Sequence, residues 1–528
     1  MKKILLLLAI FAGISQVAQC QISNAEQRKL FNAISAISGL YVDSINDSKL
    51  VESAIEGVLK DLDPHSVYIP KKEVEKVNEP LEGSFEGVGI QFQIFEDSLL
   101  VVQTVAGCPA EKVGVLPGDR IIYIDNKLIA GVKIQNSDVF KMLRGPKGSV
   151  VNIRVMRNKS PELIDFKIVR DKIPLYSVDA TYMIDKKIGY IKINNFGSNT
   201  VDEFRDALAK LEKQGMIDLI LSLQGNGGGY LNAAIGLADE FLPQKKVIVY
   251  TEGLNQPRYD AESTGIGGYE KGRLIVLVDE YSASASEILS GAVQDWDRGI
   301  IVGRRTFGKG LVQRQIPLGD GSMLRLTTAR YYTPTGRCIQ KPYKNGIDQY
   351  ERDLLERDKH GEFFHADSIH FPDSLRYQTL RLKRTVYGGG GIMPDIFVPI
   401  DTTNYSVYHR KLVAQGVVNK IYVRYLESNR EELKKNYPTF DEFKNKYQVD
   451  DNFIKMLTDE GEKDKIKFDE KQFKKSESLI KLQLKALIAR DLWDANAYYQ
   501  IIDQDNESLN KAIEILKSKT GYNSILKN

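Results

Sequence analysis

The sequence predicts a multidomain α/β protein, and three observations carry that reading. Residues 172 to about 340 alternate short apolar stretches with helix-period segments, the succession that packs helices on a sheet. Ahead of them, residues 83–171 read as short strands divided by Gly and Pro turns. Beyond residue 399 the chain is charged and helical, and 528 residues exceed one ordinary domain.

The first residues stand apart. Lys2 and Lys3 precede an apolar run over 4–14 and a more polar 15–20, the layout of a secretory signal. The run is shorter than the roughly 20 residues of a membrane anchor, and no later segment has the length to span. The chain is therefore expected to be exported, to a periplasm or cell envelope. Cys20 raises lipoprotein anchoring, but Gln19 before it is a poor lipobox residue. The expected organisation is a signal peptide over 1–20, an N-terminal helical segment over 21–80 and a β-rich domain over 81–171. A core over 172–400 follows, carrying a polar insertion at about 341–385, and a C-terminal helical domain over 401–528.

Within these units, Leu30, Ile34 and Ile37, then Leu50, Ala54, Val58 and Leu62, recur at helix spacing until Asp63-Pro64 ends the run. Strands are expected at 88–95, 99–105, 120–124 and 150–156, with a helix bearing Val139, Met142 and Leu143 between the last two. The core reads as strands at 188–193, 219–223, 247–250, 274–278, 300–302 and 311–316, with helices at 200–213, 232–241 and 284–294. Near the end, Ile480, Leu484, Leu487, Ile488 and Leu492 form one apolar stripe, which reads as a helix packed on its own domain.

Composition bounds the function. Apolar residues make up 42% and charged residues 27%, with a formal net charge of +3, so nothing asks for nucleic acid or an anionic membrane as partner. Without the leader only Cys108 and Cys338 remain, and the sequence leaves open whether they pair. No zinc spacing occurs, and neither metal nor other cofactor is expected.

Two segments carry chemistry. Residues 278–289 leave a strand, turn through small residues and enter a helix at Ser284. A helix start offers unpaired N–H groups, so a serine there is placed both to attack and to have a developing oxyanion held beside it. The same residues, Ser284 to Glu287, also fit a capping box, in which the hydroxyl only caps the helix. The second segment is Gly308-Lys309-Gly310 between apolar strands. A lysine acts as a base only when burial or a nearby cation lowers its pKa. Gly303 to Lys309 also fits a P-loop pattern, but Gly310 replaces the Ser/Thr and a strand follows where a helix should start. The histidines offer no triad: His360, His365 and His370 lie in the polar insertion, His409 just beyond, and His65 sits in an Asp-Pro-His-Ser turn. Residues 224–230, a glycine run after a strand, allow close backbone approach to a ligand.

Taken together these residues resemble the carboxyl-terminal processing (tail-specific) proteases over most of the chain. Residues 281–287 look like that family's nucleophile segment and 307–313 like its lysine segment. The spacing of 25 residues from Ser284 to Lys309 is the family's usual one and selects Ser284 over Ser282 and Ser286. The resemblance implies Gln313 as the residue orienting the lysine, and the backbone N–H groups of Gly228 and Ala285 as an oxyanion hole. Residues 62–66, 333–337 and 391–395 match as well. One departure is Ser222-Leu223-Gln224, where the family usually has Asp-Leu-Arg; both charges are lost together, which reads as a removed ion pair.

The β-rich unit resembles a PDZ domain, with Gly87, Val88, Gly89 and Ile90 as its carboxylate-binding loop. The resemblance implies a crotonase-like ββα protease core with an inserted PDZ domain. It implies a serine endopeptidase that cleaves proteins near their C-termini and binds free apolar tails. The competing reading is a PDZ-bearing scaffold that no longer cuts. An adaptor partner and the oligomeric state stay open.

Overall fold

The computed structural model describes residues 22–157 and 160–526, so the expectations for the leader and Cys20 lie outside the described residues. The centre is a six-stranded sheet in the order Val178–Met183, Ile188–Ile193, Asp218–Ser222, Leu274–Val278, Ile300–Gly303 and Ile396–Phe397. The first pair is antiparallel and the others run parallel. Its middle strands are continuous apolar runs because both faces are covered. Leu219, Leu221, Val276 and Val278 pack under the helices Thr200–Lys213, Leu231–Asp239 and Ala285–Asp295. Ile220, Ile275, Leu277 and Val302 face the other way, onto Leu509, Ala512 and Leu516 of the helix Glu507–Lys517.

The helical run beyond residue 401 therefore has two roles. Its last helices form a layer of the core. The preceding helices, with Ile480, Leu484, Leu487 and Ile488 inside, build a cluster of their own.

A second, antiparallel sheet joins Val67–Ile69, Met323–Tyr332, Val247–Gly253 and Gln256–Glu262, with Leu311–Pro317 on the free side of Met323–Tyr332. Gln256–Glu262 has no apolar run, and its strand form comes from pairing with Val247–Gly253. This sheet places the N-terminal Asp63–Ser66 turn beside the lysine segment, because Val67 pairs with Arg325 and Gln315 pairs with the same arginine.

Residues 84–174 hold the β-rich module. Its sheet runs Ile90–Phe95, Ser98–Thr104, Arg120–Ile124, Val150–Met156 and Leu163–Val169, covered by the helix Asn136–Leu143 through Val139 and Leu143. Ile90–Phe95 pairs on one side only, which leaves its outer edge open. On the opposite flank Phe95 and Leu100 enter the C-terminal helical cluster, and Arg120 forks onto Glu427 at 2.9 and 3.0 Å.

Packing bears out one local expectation and corrects another. The helix Asn24–Leu40 forms as its apolar spacing predicts, although none of its residues is buried. The polar stretch 341–385 is not simply a solvated surface insertion. It contains the helix Ile347–Lys359 and buries Lys341, Tyr350, Arg357 and Glu362 behind the lysine segment. Cys108 and Cys338 are both free thiols. Among the described residues no helix is long and apolar enough to cross a membrane.

Candidate active site

The serine segment is built by its neighbours' hydrogen bonds. Ser282 Oγ donates to the Leu223 carbonyl at 2.8 Å, and Ser286 Oγ donates to the Asn226 carbonyl at 2.9 Å. Both hydroxyls are fully buried and structural, whereas Ser284 is half-buried and lines a cleft of about 550 Å³. Its backbone sits at φ +55°, a conformation a non-glycine residue adopts only when its surroundings enforce it, at a cost of about 1–3 kcal/mol. Ser284 does occupy the capping-box position of the helix Ala285–Asp295. The Glu287 N–H, however, donates to the Ser284 carbonyl at 2.9 Å, so the hydroxyl is not required as a cap.

The enforcing group is Glu287. Its fully buried carboxylate accepts the Ser284 N–H at 2.8 Å, the Lys309 N–H at 2.9 Å, the Gly308 N–H at 2.7 Å and the Thr306 hydroxyl at 2.6 Å. One side chain thus fastens the serine segment to the lysine segment. Burial pushes its pKa up to about 7 even though these four donors pull it down. From the other side Tyr331 donates to the Lys309 carbonyl at 2.6 Å, with the Ser284 carbonyl 3.1 Å from the same hydroxyl.

Lys309 is half-buried and lines the same cleft as Ser284. Burial, then the Arg325 guanidinium, lower its pKa to about 8, against weaker upward pulls from Glu287 and Asp63. Its ammonium donates to Gln313 Oε1 at 3.1 Å. The Gln313 amide is oriented because its Nε2 donates to the His65 carbonyl. The Asp63–Ser66 turn is itself tied down. Asp63 accepts the His65 and Ser66 N–H groups, the Ser66 hydroxyl and the Thr327 hydroxyl. His65 is thus more than a turn former. Its ring meets the Tyr350 hydroxyl at 2.8 Å, and burial with nearby Lys309 lowers its pKa to about 4.

The glycine run reaches the same cleft through Gly227, Gly228 and Gly229. Gly228 has φ +99°, and a Cβ there would lie 2.8 Å from Ser284 Cβ and 3.0 Å from the Ala285 nitrogen, so no side chain fits. The Gly228 N–H points to Asn226 Oδ1 at 2.8 Å. The Ala285 N–H has no acceptor among the described residues. At the departure from the family pattern, the Ser222 hydroxyl is buried without a hydrogen-bond partner, and Gln224 Oε1 accepts from Asn506 at 2.9 Å.

The Gly87–Ile90 loop, expected to bind a carboxylate, lies in the β-rich module. Gly87 ends a strand, Val88 is buried, and Gly89 at φ +79° lies where a Cβ would collide with Cys108 Cβ at 2.4 Å. The Val88 and Gly89 carbonyls accept the Ala110 and Val105 N–H groups at 2.9 Å each, while their own N–H groups have no acceptor among the described residues. Ile90 then opens the edge strand. Among the described residues no cluster of His, Cys, Asp and Glu is arranged to hold a metal.

Sequence reasoning brought forward Ser284, Lys309, Gln313, Gly228 and Ala285, and the fold gathers them around one cleft. It missed Tyr331, Thr306 and Arg325, and it read Glu287 only as a cap, although the S-x-x-E spacing was a signal.

Comparison with known proteins agrees with this arrangement. The family profile of peptidase family S41 matches residues 187–349, and a PDZ domain profile matches 100–157. The N-terminal domain of the activating protease CtpB matches 12–73, and a family of unknown function matches 408–494. The carboxy-terminal processing protease CtpB of Bacillus subtilis is 36% identical over 397 residues, covering 74% of this chain and 75% of that one. The carboxy-terminal-processing protease of Bartonella bacilliformis is 38% identical over 307 residues, covering 57% and 69%. Among solved structures, the photosystem II D1 C-terminal processing protease aligns with TM-score 0.34 and 28% identity over 60% of this chain and 91% of that one, an overlap too partial to argue from. With the serine, the lysine and the PDZ module in one chain, this protein belongs to peptidase family S41, the carboxy-terminal processing serine proteases.

Proposed function

We propose that the chain is an exported endopeptidase that cleaves proteins near their C-termini, with Ser284 as nucleophile and Lys309 as general base. The observation that carries the reading is the common cleft. Ser284 and Lys309 both line it, their backbones are fixed by one buried carboxylate, and the lysine's pKa is lowered to about 8.

Neutral Lys309 takes the Ser284 proton as Oγ attacks the scissile carbonyl. The resulting ammonium returns that proton to the departing amine, leaving an acyl-enzyme. Water then attacks the ester, Lys309 again takes the proton and returns it to Ser284 Oγ, and the shortened protein leaves with a new carboxyl terminus. Gln313 holds the lysine in place through its Oε1. The Ala285 N–H serves the tetrahedral oxyanion together with the Gly228 N–H, which must exchange its Asn226 partner for the substrate oxygen.

The tail is bound by the Gly87–Ile90 loop, whose free Val88 and Gly89 N–H groups suit a carboxylate, and by the open edge of Ile90–Phe95, which suits an added strand. The strand, strand, helix succession Val178–Met183, Ile188–Ile193, Thr200–Lys213 supports a crotonase-like ββα core. Export rests on the leader's composition.

The test is cleavage of a protein with an apolar tail by wild type, Ser284→Ala and Lys309→Ala, each checked for folding by circular dichroism. Both substitutions are expected to lower kcat/KM by on the order of 10⁴-fold. Undiminished cleavage by either variant removes the dyad. Equal cleavage of free and amidated tails removes carboxylate recognition.

A further inference from the structure

Arg325 sits on the strand Met323–Tyr332, opposite Gln315 on one side and Val67 on the other, and it lines the same cleft as Ser284 and Lys309. Its environment is unlike that of the other half-buried arginines in the core. Arg304 is paired with Glu280, Arg384 with Asp297 and Asp395, and Arg273 with Asp218. Among the described residues the Arg325 guanidinium has neither an ion-pair partner nor a hydrogen-bond acceptor.

The two carboxylates that act on Lys309 are already engaged. Asp63 holds the His65 and Ser66 N–H groups and two hydroxyls, and Glu287 holds three N–H groups and a hydroxyl. Arg325 repels protonated Lys309 across the cleft they both line. Burial lowers the Arg325 pKa, so the cleft disfavours the bare cation. A half-buried guanidinium facing open space, without a partner, is satisfied by an anion that arrives with the ligand, and its planar fork matches a carboxylate.

We propose that Arg325 is a substrate-binding residue that takes a carboxylate of the bound chain next to the scissile peptide, so that the cleft selects an acidic group at that place. The inference rests on the Ser284–Lys309 reading. The carboxylate has two possible sources, an Asp or Glu side chain close to the cut or the free terminus of a short tail, and the recognition chemistry is the same for both. Pairing also couples recognition to the lysine. When the guanidinium is neutralised by substrate, its repulsion of Lys309 is relieved. The other groups acting on that lysine, Glu287 and Asp63, remain as they are, and His65 stays neutral above about pH 4.

The experiment compares kcat/KM on one tailed protein whose cut has been mapped. Acidic residues within three positions of the cut are kept or changed to Asn and Gln, and the end is free or amidated. Wild type, Arg325→Met and Arg325→Lys are used as full chains. Wild type is expected to favour the acidic form by about tenfold, the scale of a charge-assisted pair. The preference is expected to collapse toward one in Arg325→Met and to return in part in Arg325→Lys. Loss of preference on side-chain replacement identifies the side chain as the source, and loss on amidation identifies the terminus.

A second readout separates binding from mere structure. Arg325→Met removes a like charge from Lys309, so the acid limb of its pH profile is expected to move to higher pH, while Arg325→Lys keeps it near the wild-type position. If Arg325→Met does not fold, Arg325→Gln replaces it. An unchanged preference in a folded neutral variant, or no preference in wild type, overturns the proposal. Ser284→Ala run alongside keeps the two readings apart: cleavage that survives it sinks the dyad, whatever the acidic preference does.

Discussion

Two glycine loops in this molecule present backbone N–H groups, and they differ in what those groups are doing. In the Gly87–Ile90 loop the carbonyls of Val88 and Gly89 are bonded and the N–H groups are free. In the 225–229 loop the Gly228 N–H is taken by Asn226, a fully buried residue whose own amide donates to the Ile193 carbonyl at 3.0 Å. In the proposed function the first loop receives a full negative charge that a ligand brings with it. In the same proposal the second keeps one donor occupied until a charge develops, which favours the transition state over the resting carbonyl. On the proposed function, the difference teaches that the two loops act at different moments: one fixes affinity, the other rate.

Substitutions that fill each loop sharpen this contrast. The largest effect is expected from Gly228→Ala, since its Cβ would strike Ser284 Cβ at 2.8 Å from a φ of +99°. Loss of an oxyanion donor lowers kcat by on the order of 10²–10³-fold, with KM nearly unchanged in steady-state kinetics. A large rise in KM instead would erase the distinction.

Next comes Glu287→Gln, which puts an amide where four donors converge. Leaving buried donors unsatisfied is expected to cost about 1–3 kcal/mol in urea unfolding, and kcat falls with it. The pH dependence follows from the sign of the shift. Because the folded-state pKa is raised to about 7, the folded chain holds a proton that the unfolded one releases between about pH 4.5 and 7. This carboxyl therefore contributes stability at low pH that is lost as pH rises through that window. The variant is expected to flatten that part of the stability curve.

A smaller effect is expected in the other loop. Gly89→Ala, which meets Cys108 Cβ at 2.4 Å, is expected to raise KM for tailed substrates about tenfold, the scale of a charged hydrogen bond, while kcat holds. A fall in kcat without a change in KM would make this loop part of the rate-determining machinery. A last effect is read in wild type without any substitution. With Lys309 at about 8 and active when neutral, kcat/KM is expected to climb from pH 6 and reach half its plateau near pH 8. A flat profile over that range would remove the lysine as base.

The serine and lysine were legible because each lies in a short local pattern at a strand end, and their separation along the chain added a second constraint. Their support was not. Tyr331 reaches the site by strand pairing, and His65 arrives from the N-terminal turn through Val67–Ile69. No local periodicity records such long-range contacts. Arg325 looks in sequence like any basic residue on an alternating strand, and only the paired neighbours set it apart. Gln256–Glu262 was missed because its strand form comes from its partner, and the burial of Lys341 was missed because its alkyl stem and ammonium lie against Phe307 and Tyr350 rings at 3.9 and 4.1 Å. The helix Asn24–Leu40 was legible from its spacing, but periodicity announces a face and not what covers it.

The Glu287 clamp has a consequence for when this chain becomes dangerous to its surroundings. Its carboxylate is held by residues 284 and 306–309, which meet only after Leu274–Val278 and Ile300–Gly303 have paired. Before that, the serine lacks its strained backbone and the lysine is an ordinary solvated cation. On the proposed dyad, a chain still emerging from synthesis carries no cutting edge, and one that loosens with heat loses it again. On the proposed Ser284–Lys309 reading, cutting is therefore tied to completed folding of the core.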